Sequence, residues 1–277
     1  MKSFLKNVLS TIVGIVLSVV VVVLLFIGII SIAVSSLDNE GETKVKMGSI
    51  LKISLDKEIV ERASDNPLDY LSLANMEMNI PDELKTILDN IEKAKTDDRI
   101  KGIYLNVPFL NAGLSQTEEI RNKLLDFKTS GKFIVSYAEY YSQKGYYLSS
   151  VADELYLNPE GMFELKGFSA QIMFYKGLLE KLDVEVQVIR HGKFKSAIEP
   201  FVLDKMSRSN REQISLLLST ISDNIMDSIA SQRGLTLSKV EELANKLELT
   251  TAEKCLENHF VDALIYQDEL EEKLKSK

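Results

Sequence analysis

From Asn7 to Leu37 the chain carries no charge, and Val19 to Ile27 is an unbroken apolar run. A helix needs roughly 20 apolar residues to cross a bilayer core, and residues 11–34 exceed that length, predicting a transmembrane helix. Beyond residue 48 the period changes. Ile50 to Leu55 alternates apolar and polar positions and predicts a strand. Pro81-Asp82-Glu83 predicts a helix start, with proline first and acids in the first turn. Leu84, Ile87, Leu88 and Ile91 form its apolar stripe. Ile100 to Leu105 is a predicted strand. Ser115-Gln116-Thr117-Glu118 has the form of a capping box, opening a helix through Ile120, Leu124 and Phe127 that Gly131 ends. Lys132 to Tyr137 is the next strand and residues 145–151 a short helix. The alternation of Val184, Val186 and Val188 predicts a later strand. Ser207 to Gln232 is a long helix with Ile214, Leu217, Leu218, Ile221, Ile225 and Ile229 on one broad face, which suits either an intrachain core or a neighbouring subunit. This succession of strands and helices predicts an α/β fold with mainly parallel strands, preceded by one transmembrane helix.

Charge sets the orientation. Lys2 and Lys6 are the only charges before Asp38, so the anchor region carries +2 while the rest of the chain carries −10, for a total of −8. Lysines before the apolar run and Asp38, Glu40 and Glu42 after it place the N-terminus in the cytoplasm and the bulk outside. The expected organisation is a cytoplasmic N-terminus (1–10), an anchor (11–34), a polar linker (35–48) and one domain (49–277). A cleaved signal peptide, processed near Ala33-Val34-Ser35, is the competing reading, although its apolar core of about 7–15 residues would be shorter than the run present here. An acidic external part excludes nucleic acid as the expected partner. One cysteine, Cys255, excludes an internal disulfide framework, and two distant histidines, His191 and His259, leave no zinc pattern. No metal and no cofactor is expected.

The candidate chemistry lies in His191-Gly192-Lys193-Phe194-Lys195-Ser196-Ala197-Ile198-Glu199-Pro200-Phe201. A lysine acts as a base when burial among apolar groups lowers its pKa from about 10.4. Phe194, Ala197, Ile198 and Phe201 are suitable material for such a pocket around Lys195. The alternative is a surface lysine paired with Glu199. Here the chain resembles the signal peptide peptidase A family, also called protease IV, whose Ser/Lys dyad takes its lysine from a K-S-A-x-E-P-F segment. The segment Ser142 to Ser150 and the closing stretch Thr251 to Leu264, of the form A-x-E-x-x-L-x-x-x-x-V-D, resemble the same family, so the likeness runs from about residue 48 to the end.

The resemblance implies a crotonase/ClpP-like superhelix with Lys195 as general base. It leaves Ser196 either to orient the lysine amine or to cap the following turn, and makes Glu199 an orienting or structural partner. In this family the serine lies in an A-S-G-G-Y segment, and aligning Gly145-Tyr146-Tyr147-Leu148-Ser149 to its end puts Gln143 at the serine position. Ser142 is one residue off, about 100° around a helix. The P-G-G turn that helps form the family's oxyanion hole is replaced by Asn106-Val107-Pro108-Phe109-Leu110-Asn111-Ala112-Gly113. Long members of the family are tandem duplications in which the first repeat supplies the lysine and the second the serine. The chain is therefore expected to be the N-terminal, lysine-bearing half of a bacterial inner-membrane serine endopeptidase acting on cleaved signal peptides, a half that is inactive alone. Its expected partners are peptides, the membrane, a serine-bearing repeat in cis or trans, and further copies of itself in a homo-oligomer. A fragment, a split-enzyme half and a stand-alone, membrane-tethered scaffold that binds peptides without cutting them all fit the same residues.

Overall fold

The computed structural model describes residues 2–38, 45–64, 71–72, 77–78, 80–189, 191–192 and 195–277, and divides into two units, residues 1–46 and 47–277. The first unit contains one helix among its described residues, α1 (Lys2–Asp38). Within it, Lys6–Ile29 is long and apolar enough to cross a membrane, beginning a few residues before the expected span. Of the linker expected at 35–48, residues 39–44 lie outside the described residues.

The second unit begins with β1 (Ser49–Ser54), β2 (Ile59–Val60), β3 (Leu71–Ser72), β4 (Glu77–Met78), β5 (Asp82–Glu83), α2 (Leu84–Thr96), β6 (Ile100–Asn106), α3 (Leu114–Lys128) and β7 (Phe133–Tyr141). It continues through α4 (Gln143–Ser149), β8 (Glu154–Phe163), α5 (Lys176–Lys181), α6 (Glu199–Val202), α7 (Arg208–Arg233), α8 (Leu237–Lys246), α9 (Ala252–Glu257), β9 (Ala263–Leu264) and α10 (Gln267–Ser276). Five strands form one sheet in the order β1-β6-β7-β8-β9, and every pairing is parallel. Register pairs Leu51 with Ile103, Ile103 with Ile134 and Tyr137 with Tyr156.

Because each strand joins the edge left by its predecessor, connecting helices fall to one face by the right-handed crossover rule. Alternation along the strands sends Ile103, Leu105, Ile134 and Leu157 to that face, all buried, and α2 packs on α3 and α3 on α4. The opposite face carries Tyr104, Val135, Tyr137 and Tyr156, closed by Ile265 and by Leu270 of α10. With both faces covered, each buried aliphatic side chain contributes about 1.5–3 kcal/mol.

The closing element pins this core. Asp262 accepts from Leu155 N at 2.7 Å and pairs with the Arg233 guanidinium at 2.6 Å, while Tyr146 OH donates to Phe260 O at 2.8 Å. One carboxylate thus ties the end of α7 to β8 and β9. Cys255, fully buried in α9, has its thiol pushed up to about 12 by burial.

Four expectations change. Asp82 and Glu83 form β5 instead of a first helical turn, because Asp82 N donates to Glu58 O and joins a ladder with β2, so α2 starts at Leu84. The capping box expected at Ser115 moves upstream: α3 starts at Leu114, and Gln116 Oε1 accepts from Gly113 N at 2.8 Å. The strand expected at Val184–Val188 is absent. Residues 184–189 are irregular and join no strand ladder among the described residues, with Val184, Val188 and Ile189 exposed, since alternation makes a strand only where a neighbour completes its hydrogen bonds. Finally, the broad apolar face of α7 is only half used. Ile225, Met226, Ile229 and Ala230 are buried, whereas Leu216 and Leu217 are 68% and 55% exposed.

Candidate active site

β7 ends at Tyr141, and Ser142 caps α4 by accepting from Gly145 N at 3.1 Å. The loop after β6 lies directly against this turn, with Pro108 O accepting from Ser142 N at 3.1 Å. A Cβ on residue 145 would stand 2.6 Å from Val107 O and 3.0 Å from Pro108 O, so only glycine allows this approach. The loop therefore presents carbonyl oxygens to the start of α4, where an oxyanion would require N–H donors.

Gln143 is the first residue of α4, and its Oε1 accepts from Lys166 N at 3.0 Å. Together with Ser142 and Lys144 it lines a cavity of about 560 Å³, whose other walls come from residues 109–114, residues 164–169 and Ile225. Lys144 Nζ donates to Ala112 O at 2.5 Å. Glu164 pairs with Lys166 and accepts from Tyr140 OH at 2.7 Å. The hydrogen bond from Lys166, ahead of that from Tyr140, holds the Glu164 carboxyl below the usual range, while burial, then Glu164, pushes the Tyr140 hydroxyl up to about 12. The Phe109 and Tyr140 rings meet at 4.7 Å.

Lys195 lies elsewhere. With Ser196, Ala197 and Ile198, and facing Gln187, Val188 and Ile189, it lines a second cavity of about 480 Å³ that shares no lining residue with the first. Among the described residues the apolar pocket expected around it is not closed. Lys195, Ala197 and Phe201 are exposed and Ile198 is half-buried, and the facing residues 187–189 are irregular. Phe194 and Lys193 lie outside the described residues. Ser196 closes a turn through its carbonyl, which accepts from Glu199 N at 2.9 Å; Ile198 is the N-cap of α6, with no side-chain cap.

Glu199 is 3% exposed and serves the start of α7. Its carboxylate accepts from Ser207 N, Ser207 Oγ and Asn210 Nδ2 at 3.1, 2.6 and 3.0 Å. Sequence reasoning singled out Lys195, Ser196, Glu199 and Gln143, but not the apolar lining of the first cavity. Phe109, Leu114, Phe168 and Ile225 come from three separated segments and carry no motif. The one available signal was the replacement of the glycine turn by bulkier residues.

A parallel α/β sheet with a short helix capped at the end of its third strand, and a lysine segment leading to a long helix, defines a ClpP-like peptidase module. The profile of peptidase family S49 matches residues 126–277, and the chain belongs to this family, the signal peptide peptidase A or protease IV family of serine proteases. It is 33% identical over 234 residues to "Serine protease SPPA, chloroplastic" of Arabidopsis thaliana, covering 84% of this chain and 33% of that protein. It is 35% identical over 196 residues to "Protease 4" of Salmonella typhi (68% and 32%) and 31% identical over 223 residues to "Protease 4" of Haemophilus influenzae (79% and 36%). The matched stretch spans about a third of the length of these relatives.

Proposed function

We propose that the chain is the lysine-bearing, membrane-anchored part of a Ser/Lys peptidase whose nucleophile comes from a second, serine-bearing repeat in cis or in trans. The observation that carries this reading is Gln143 at the first position of α4, where the family pattern has serine. A carboxamide cannot attack a carbonyl, and the neighbouring Ser142 is engaged as a cap. In the completed site Lys195 takes the serine hydroxyl proton during acylation and then activates the water that releases the acyl group. The exposed residues at 182–189 and the exposed Leu216 and Leu217 of α7 supply surface that such a repeat, or further copies in a homo-oligomer, would cover. Substrates are signal peptides left after preprotein processing. The anchor lies in a bacterial inner membrane with the N-terminus inside, as the lysines before the apolar run support. No metal or cofactor enters the scheme.

The test is reconstitution. The chain alone should hydrolyse no peptide and take up no serine-directed covalent probe. Addition of a serine-bearing repeat should create activity that Lys195→Arg removes. Labelling of Ser142 in the isolated chain would overturn the reading. A second reading, a scaffold that binds peptides without cutting them, is favoured by the carbonyls that Val107 and Pro108 turn toward α4. It predicts no activity with any serine-bearing partner.

A further inference from the structure

The turn that leads from Lys195 into α6 is tied together by its own backbone. Ser196 O accepts from Glu199 N, Ile198 O from Phe201 N and Glu199 O from Leu203 N, at 2.9, 3.0 and 2.9 Å. A displacement imposed at Phe201 is therefore passed along hydrogen-bonded backbone toward Lys195. On the α7 side the turn is held by the Glu199 carboxylate. On the other side stands α5. Tyr175, its N-cap, donates its backbone N–H to Pro200 O at 2.6 Å, and its ring stacks on Phe201 with centroids 5.9 Å apart and planes at 24°. Lys176 adds an ion pair with Asp204 at 3.2 Å, solvated and worth little by itself.

The facing wall of the Lys195 cavity also starts from α5. Val184 N closes the end of this helix by donating to Leu179 O at 2.9 Å, with Asp183 in the left-handed region at φ 54°. Just beyond, Gln187, Val188 and Ile189 face Lys195. One six-residue helix thus grips the lysine turn at its start and launches the opposite wall at its end. None of its residues is buried, and the Tyr175 ring on Phe201 supplies an apolar contact that fixes the spacing of the two walls. Spacing matters because a lysine acts as a base only when water is kept from its amine. We infer that Tyr175 is a positioning residue for the general base, setting through Phe201 the separation between the Lys195 turn and residues 187–189. Lys195 is the base here on the peptidase reading, whereas the Tyr175 contact stands without it. The Tyr175 hydroxyl makes no hydrogen bond among the described residues, so the role belongs to the ring and the backbone.

Two measurements test this. In the full chain in nanodiscs, hydrogen exchange at the Glu199, Phe201 and Leu203 amides should speed up about tenfold in Tyr175→Ala, and Tyr175→Phe, which keeps the ring, should restore the wild-type rate. In the enzyme completed by a serine-bearing repeat, Tyr175→Ala should admit water to Lys195 and move the acid limb of the kcat/KM profile up by about one pH unit, a loss of about tenfold below that limb that Tyr175→Phe again restores. A merely structural role would lower activity equally at every pH. Phe201→Ala removes the same stack from its other side and should act alike, which covers the case in which Tyr175→Ala misfolds. Unchanged exchange in both alanine variants, or a loss of activity independent of pH, would overturn the inference. Activity retained in Lys195→Arg, or none with any serine-bearing repeat, would instead overturn the peptidase reading and with it the catalytic part of the role, while the exchange result would still decide the contact.

Discussion

Around Gln143 the walls come from the loops that follow β6 and β8, the starts of α3 and α4, and Ile225 of α7, whereas around Lys195 they come from the irregular residues 187–189 and the turn at 195–198 that leads into α6. The first region sits on residues pinned by Asp262, Arg233 and Tyr146; the second is joined to the body by the Glu199 carboxylate and by a Tyr175 N–H bond of 2.6 Å to Pro200 O. The contrast teaches how far each region completes its surroundings by itself. The Gln143 cavity is walled by segments that lead directly out of the sheet strands β6, β7 and β8. A lysine base needs desolvation, and desolvation requires covering surface that this chain leaves exposed at 182–189.

The largest expected effect is at the lysine. In the reconstituted enzyme Lys195→Arg keeps the charge but cannot act as a base, and kcat/KM should fall by roughly 10²–10⁴-fold, whereas Lys193→Arg should leave it near wild type. If the arginine variant stays active in a folded complex, the covered-lysine half of the comparison fails.

Next comes the pin. Asp262→Ala removes a charged acceptor from Arg233, whose side chain is 7% exposed, and from Leu155 N; it should lower unfolding stability by about 2–4 kcal/mol in urea titrations. Glu199→Ala should act locally instead. Limited proteolysis should speed up between residues 199 and 210 while the main unfolding transition moves less than for Asp262→Ala. Equal shifts in the main transition would show that the two regions are one cooperative unit.

Alkali separates them in a third way. Burial raises the hydroxyls of Tyr141 and Tyr146 and the thiol of Cys255, all in the pinned region, above their ordinary values. The unfolded chain therefore loses these protons first and binds fewer of them than the folded chain over the window from about pH 9 upward, so stability falls as pH rises. Tyrosinate absorbance should consequently appear together with unfolding. Gradual titration of these tyrosines in a folded protein would contradict their burial.

The smallest effect concerns α7. Leu217→Asn, at an exposed position, should change the stability of the isolated chain by less than about 0.5 kcal/mol. It should weaken association with the serine-bearing repeat or with further copies, as read by sedimentation. A large loss of stability in the isolated chain would mean that this face is core.

Local pattern was enough for much of the fold. The helical spacing of Ile120, Leu124 and Phe127, the alternation in 50–55 and the left-handed Gly131 at φ +76° are settled by neighbours in sequence, so their elements were legible without tertiary information. The lysine segment and Gln143 stood out in the sequence because short stretches there resemble family motifs. Tertiary structure decided what depends on distant partners. Asp82 became a strand through Glu58, the alternating valines at 184–188 stayed irregular for want of a paired edge, and α7 buried only the half that meets the body. The cavity at Gln143 belongs to the same class. Its walls converge from segments more than 100 residues apart, and Gln143 is oriented by a backbone amide 23 residues away, relations that no local pattern encodes.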